Sequence, residues 1–193
     1  NPIRSAKDVH QLKKICSADE LGYVREAIKI LKRELPSQIP LLGFCGSPFT
    51  LASYMIEGGS SKIYSNTMKF FSQYPLEAEI LLNFITEHVI EYLFYKAESG
   101  VDAVQVFEST GGALSRFHFE KFALPYLKKV FGALNQKGIA NILYILNGTH
   151  LQDIYAESGC QVASLDWRID LTKFRKENNK LVTQGNLNPS TLF

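Results

Sequence analysis

The chain has 193 residues, 21 Lys and Arg against 19 Asp and Glu for a formal net charge of +2, and is 46% hydrophobic and 21% charged. That is the balance of one globular domain with a real core, and so small a charge removes the electrostatic case for nucleic acid or an anionic membrane surface. No apolar run approaches the about 18 residues a membrane span requires, and Asn1-Pro2-Ile3-Arg4 has no basic-then-apolar leader pattern, so the reading is a cytoplasmic protein.

Ser5 followed by Asp8 is a capping-box pattern, and Val9, Leu12 and Ile15 at helical spacing predict a helix over 5–15. A second helix is expected from about Asp19, with Leu21, Val24, Ile28, Leu31 and Leu35 on one face and Pro36 as its stop. Residues 39–46 read as a buried strand. It breaks at Gly46-Ser47-Pro48, where proline suits the first turn of a helix, and that helix closes at Gly58-Gly59. Ser47 and Tyr54 lie on this segment and are the polar groups eligible to face a site. Cys45, inside the strand, reads as small core filler rather than a nucleophile. With Cys16 and Cys160 it makes an odd, widely spaced set that reads as reduced, buried thiols.

Two helices are predicted next, over 61–74 and 75–99. The second is apolar on so many sides that it must be covered on more than one, and His88 within it reads as a packed histidine. Ala103 to Ser109 is a second strand, 141–146 a third, 162–167 a fourth and 181–186 a fifth, with helices over 115–136, 150–157 and 171–177 between them. Each strand exit carries polar or glycine residues: Gly46-Ser47, Glu108-Ser109, Asn147-Gly148, Asp166-Trp167 and Asn186. Strands alternating with helices mean a parallel sheet, and chemistry-bearing residues gathered at strand exits match a (β/α)8 TIM barrel. No Gly-x-Gly-x-x-Gly turn or phosphate loop favours the doubly wound alternative. A barrel has eight strands, and about five βα units are visible here. The expectation for 1–193 is therefore a single incomplete (β/α) barrel domain with two raw sheet edges, prone to associate.

The residues 43–58, Gly-Phe-Cys-Gly-Ser-Pro-Phe-Thr-Leu-Ala-Ser-Tyr-Met-Ile-Glu-Gly, resemble a signature segment of the uroporphyrinogen decarboxylase family. Val104 to Ser109, Phe122-Ala123-Leu124-Pro125-Tyr126, Leu165-Asp166-Trp167 and Gln184-Gly185-Asn186-Leu187 are similar to further stretches of that family, in the same order. The resemblance implies a single-domain barrel, usually a homodimer and nearly twice this length. It implies an enzyme that takes CO2 from the four acetate arms of uroporphyrinogen to give coproporphyrinogen, with no metal or organic cofactor. Protonation of a pyrrole carbon makes the ring an electron sink for CO2 loss, and a carboxylate near the pyrrole N–H groups stabilises that cation. By the resemblance that aspartate precedes Asn1, so no catalytic residue is assigned here. Two substrate-binding residues carry over: Tyr54, whose hydroxyl would bond a carboxylate arm, and Ser109 at the second strand's exit. Asp166 at the fourth strand's exit stays open between a general acid and a structural carboxylate that caps neighbouring N–H groups. Thr110-Gly111-Gly112 stands where the family more often has an aromatic or His before Ala-Gly, and Asn188 where it often has Asp.

Two rival readings remain open at the sequence level. Corrinoid-dependent methyltransferases share the barrel but hold zinc through a His-x-Cys pair and a later Cys. Tyr144-Ile145-Leu146-Asn147-Gly148 offers neither thiolate nor imidazole, and His150 with the distant Cys160 makes no ligand set. The other is a non-catalytic barrel fragment acting as a binding or assembly module.

Overall fold

The computed structural model describes residues 1–59 and 61–193. Its centre is a five-stranded, all-parallel sheet in the order β1-β2-β3-β4-β5, so each crossover leads to the adjacent strand. A doubly wound sheet reverses direction at a switch point and a barrel never does. The sheet is an open part of a (β/α) barrel.

In chain order the elements begin with α1 (Ala6–His10), α2 (Ser17–Glu20) and α3 (Gly22–Glu34), then β1 (Leu42–Gly46), α4 (Pro48–Glu57), α5 (Ser65–Gln73) and α6 (Pro75–Ser99). They continue as β2 (Ala103–Glu108), α7 (Arg116–Phe122), α8 (Leu124–Gln136), β3 (Asn141–Ile145), α9 (Ile154–Ser158), β4 (Val162–Ser164), α10 (Leu171–Glu177) and β5 (Val182–Gln184). Several sequence expectations change. The capping box of Ser5 and Asp8 forms, but it starts a single five-residue helix. Beyond it residues 12–16 run as irregular chain pinned to one stripe of α6: the Ile15 N–H donates to His88 Nε2 (3.3 Å) and the Ser17 N–H to Glu91 Oε1 (2.7 Å). The helix expected over 115–136 is two helices that break at Ala123, because Pro125 has no N–H to offer the Lys121 carbonyl and its ring crowds that carbonyl. The helix expected over 61–74 begins only at Ser65. Cys16 is exposed, not buried, and Cys45 is half-buried.

Other expectations hold. Pro48 sits in the first turn of α4, and Gly58 ends it at φ 74°, a left-handed position that costs glycine little. Helix α6 runs over Pro75–Ser99 as read, and its many buried faces are covered from within the chain by α3, α4, α5, α8 and the sheet. The strand pattern has period two: Val104, Val106, Leu143, Ile145 and Ala163 join the helix-side core, each almost fully buried. The alternate residues, among them Phe44, Phe107 and Tyr144, occupy the other face of the sheet.

A lysine from α6 reaches the outer side of β1. Leu41 and Ser47 exchange backbone bonds with β2, which turns the Phe44 carbonyl outward from the sheet. Lys96, only 7% exposed, reaches from α6 to donate its ammonium to that carbonyl, and the charge rests 4.1 Å from the Tyr92 ring centroid and 5.0 Å from that of Phe44. Burial pulls its pKa down from the usual lysine value. Lys96→Met removes that donor and leaves the Phe44 carbonyl without its partner, so a loss of about 1–3 kcal/mol is expected. Urea midpoints of the two proteins read this, and an unchanged midpoint would refute the role of the contact.

Candidate functional site

The exits of all five strands are laced together at the carboxyl end of the sheet. Ser47 follows β1 as the N-cap of α4: fully buried, its hydroxyl accepts from the Thr50 N–H (3.1 Å) and donates to Glu108 Oε2 at the end of β2. The other Glu108 oxygen accepts from the Thr50 hydroxyl (2.6 Å) and the Gly111 N–H (2.7 Å), and more weakly from Thr110. The Glu108 carbonyl takes the Leu146 N–H beyond β3 (3.0 Å), and the Asn147 N–H donates to Asp166 Oδ2 beyond β4 (3.0 Å). Asn186 beyond β5 closes the series by donating its side-chain amide to the Asp166 and Ile169 carbonyls.

Glu108 is completely buried, and that burial pushes its pKa above the ordinary carboxylate value of 4.5 even though Ser47, Thr50, Gly111 and Thr110 all favour the charge. Asp166 differs. Burial opposes its charge too, but the backbone N–H groups of Arg168 and Asn147 and the Arg168 guanidinium outweigh it and hold the carboxyl below the usual range. It accepts from the backbone N–H groups that follow β3 and β4, as the structural of its two sequence readings expects.

Ser47 is thus spent on the scaffold, while the two carried-over residues keep free hydroxyls. Tyr54 lies one turn beyond Thr50 on α4, 50% exposed, on the wall of a mostly apolar cavity of about 410 Å3 shared with Leu21, Cys45, Leu51, Met55 and Tyr92. Ser109 is half-buried, and its N–H is tethered to the Thr50 hydroxyl at 2.9 Å. Thr50 therefore ties the β2 exit to the helix that carries Tyr54. Among the described residues neither the Tyr54 nor the Ser109 hydroxyl has a hydrogen-bond partner within the chain, so both are available to an anionic ligand. The Cys45 thiol on the cavity wall is no nucleophile: burial pushes its pKa up to about 11. His150 donates to or accepts from the Leu114 carbonyl (2.8 Å), and Cys160 is buried against the Tyr155 carbonyl. Among the described residues no three His, Cys, Asp or Glu side chains converge as a ligand set.

Sequence reasoning missed the aromatic floor. Phe44, Phe107 and Tyr144 stack edge-on across β1, β2 and β3 with centroids 5.8 and 5.7 Å apart, and Phe44 stays 62% exposed. A row of rings with accessible faces suits a flat conjugated or heteroaromatic ligand. Period-two counting along the strands would have found it, had the exposed face been tracked as closely as the buried one. Also missed were Thr50, the tether, and Arg168 beside Asp166.

The family model for uroporphyrinogen decarboxylase (URO-D) matches residues 1–193, from one end of the chain to the other. The chain belongs to this family. The uroporphyrinogen decarboxylase of Carboxydothermus hydrogenoformans is 41% identical over 194 residues, covering 100% of this chain and 55% of that protein. Uroporphyrinogen decarboxylase 2, chloroplastic, of Arabidopsis thaliana is 39% identical over 196 residues, covering 100% of this chain and 50% of the relative. The chain spans about half the length of the curated relatives it matches. Among solved structures, a methyltransferase from Methanosarcina mazei superposes with a TM-score of 0.76 at 22% identity over 86% of this chain and 48% of that one, a likeness of fold alone.

Two substitutions probe the scaffold of this URO-D family site. Glu108 holds its proton to higher pH when folded than when unfolded, so its contribution to stability is present below the ordinary carboxyl range and is lost as pH rises through the folded value. Glu108→Gln is expected to cost about 1–3 kcal/mol in acid, because the amide brings two N–H donors among the surrounding donors where the neutral carboxyl brings one O–H. The deficit should be largest in acid and shrink toward neutral pH, read from urea midpoints of both proteins across pH; a pH-independent deficit would overturn the assignment. Gly112→Ala would drive a methyl to 1.9 Å from the Leu146 carbonyl oxygen. A loss of about 2 kcal/mol or more is expected in the same measurement, and a neutral result would contradict the packed loop.

Proposed function

We propose that this chain forms one wall of a uroporphyrinogen decarboxylase cleft, in which CO2 is removed from the four acetate arms of uroporphyrinogen to give coproporphyrinogen. The observation that carries the reading is the family match over the whole chain. The site adds chemical support: the Ser109 and Tyr54 hydroxyls are free, Thr50 holds the N–H of the first and lies one turn before the second, and an aromatic row crosses β1, β2 and β3.

In this reading Tyr54 and Ser109 bind substrate, donating to its carboxylate arms and fixing which pyrrole is presented. The aromatic row receives the macrocycle's face. The residue that stabilises the protonated pyrrole is a carboxylate outside these 193 residues; this chain orients and holds. No metal or organic cofactor enters the reaction, because the protonated ring itself accepts the electron pair released with CO2. The working assembly is a cytoplasmic homodimer, for which sedimentation equilibrium is the check. Among the described residues no helix is long and apolar enough to cross a membrane.

The test is an anaerobic assay of the intact protein for conversion of uroporphyrinogen to coproporphyrinogen, with Tyr54→Phe and Ser109→Ala beside it. Conversion is expected from the parent. Each variant should lower kcat/KM by about tenfold, the loss of one hydrogen bond to a charged group. No decarboxylation by the intact protein would sink the reading, whereas unchanged kinetics in both variants would sink only the two site assignments.

A further inference from the structure

Beyond β4 the chain runs Leu165-Asp166-Trp167-Arg168-Ile169-Asp170. Asp166 is 2% exposed, and it takes the Arg168 N–H and the Arg168 Nη1 at 3.0 Å each on Oδ1, with Nη1 also 3.0 Å from Oδ2. The guanidinium lies 4.4 Å over the ring of Trp167, the chain's single tryptophan. One nitrogen and one face of the group are therefore fixed. The Nε–H and Nη2–H edge, the pair that grips a carboxylate side-on with two parallel bonds, has no partner among the described residues, and the side chain is 45% exposed.

Among the described residues Arg168 is the one Lys or Arg on the loops that follow directly from the five strands. Arg116, which opens α7, is consumed by Glu120, Asp153 and Glu157, and Lys96 by the edge of β1. The β4 exit stands two strands from Ser109, about 10 Å at ordinary strand spacing, a separation on the scale of a tetrapyrrole ring. Tyr144, the last ring of the aromatic row, stands on β3 between them.

We infer that Arg168 is a substrate-binding residue: its free Nε/Nη2 edge takes a carboxylate arm of the tetrapyrrole on the side of the ring away from Tyr54 and Ser109, with Asp166 and Trp167 holding the guanidinium in place. This rests on the tetrapyrrole reading and extends it, since the sequence analysis assigned hydroxyls alone. Planar pairing makes lysine an inadequate substitute.

Binding of uroporphyrin, the stable oxidised macrocycle with the same eight carboxylates, to the intact protein is followed by the change in the porphyrin's own absorbance. Arg168→Ala is expected to weaken binding about tenfold and Arg168→Lys to recover only part of it. The salt dependence of affinity should become shallower in Arg168→Ala. In turnover, KM should rise by a similar factor with kcat within about twofold. A purely structural role would lower thermal stability and kcat together while leaving the salt dependence intact, and that pattern overturns the proposal. So does a lysine variant that binds like the parent, or an alanine variant that binds equally well while the parent turns over normally. If the parent neither binds nor decarboxylates, the tetrapyrrole reading falls and Arg168's role falls with it.

Discussion

A carboxylate with no access to water, Glu108, is the constraint around which the carboxyl end of this sheet is arranged. Burying it is affordable only because hydroxyls and backbone N–H groups from two elements converge on it: Ser47 and Thr50 from the turn into α4, Thr110 and Gly111 from the loop after β2. These donors are the same groups that fix local backbone, so satisfying the carboxylate also sets the start of α4 and the course of the β2 loop. Glycine at 111 follows from the same crowding, since a methyl there would come 2.7 Å from the Glu108 side chain and 2.5 Å from Phe119.

Function inherits this rigidity. Tyr54 and Ser109 have no bonds of their own to hold them, yet each is one step from the network: Tyr54 a turn beyond Thr50, Ser109 through its N–H to the Thr50 hydroxyl. Free hydroxyls on a locked scaffold are what a site needs to present donors without first ordering them. Asp166 plays the comparable part further along the sheet, where it spends its oxygens on Asn147 and Arg168 and leaves one edge of the guanidinium open. Two buried carboxylates thus divide the work, and their opposite pKa directions follow from which side wins: complete burial outweighs the donors around Glu108, whereas the Arg168 and Asn147 N–H groups, with the Arg168 guanidinium, outweigh burial at Asp166.

The two faces of the sheet are unequal for a physical reason. Aliphatic residues face the helices and make the close-packed core, while Phe44, Phe107 and Tyr144 turn to the other side, the face a (β/α) barrel turns inward.

Much of this was legible in one dimension. Apolar periods placed all five strands, Pro48 and Gly58 marked the ends of α4, and Gly100 stopped α6, because those effects depend on near neighbours in sequence. The errors were also local in origin: Leu12 and Ile15 keep helical spacing, but His88 and Glu91, more than seventy residues away, compete for that backbone and win. The family's motif made Tyr54 and Ser109 nameable. By itself the sequence determined the element order, the parallel sheet and the identity of its polar exits. Tertiary structure decided which of those exits are scaffold and which are open. Ser47 and Tyr54 look equally eligible as text, and only a carboxylate sixty-one residues further on consumes the first and leaves the second free.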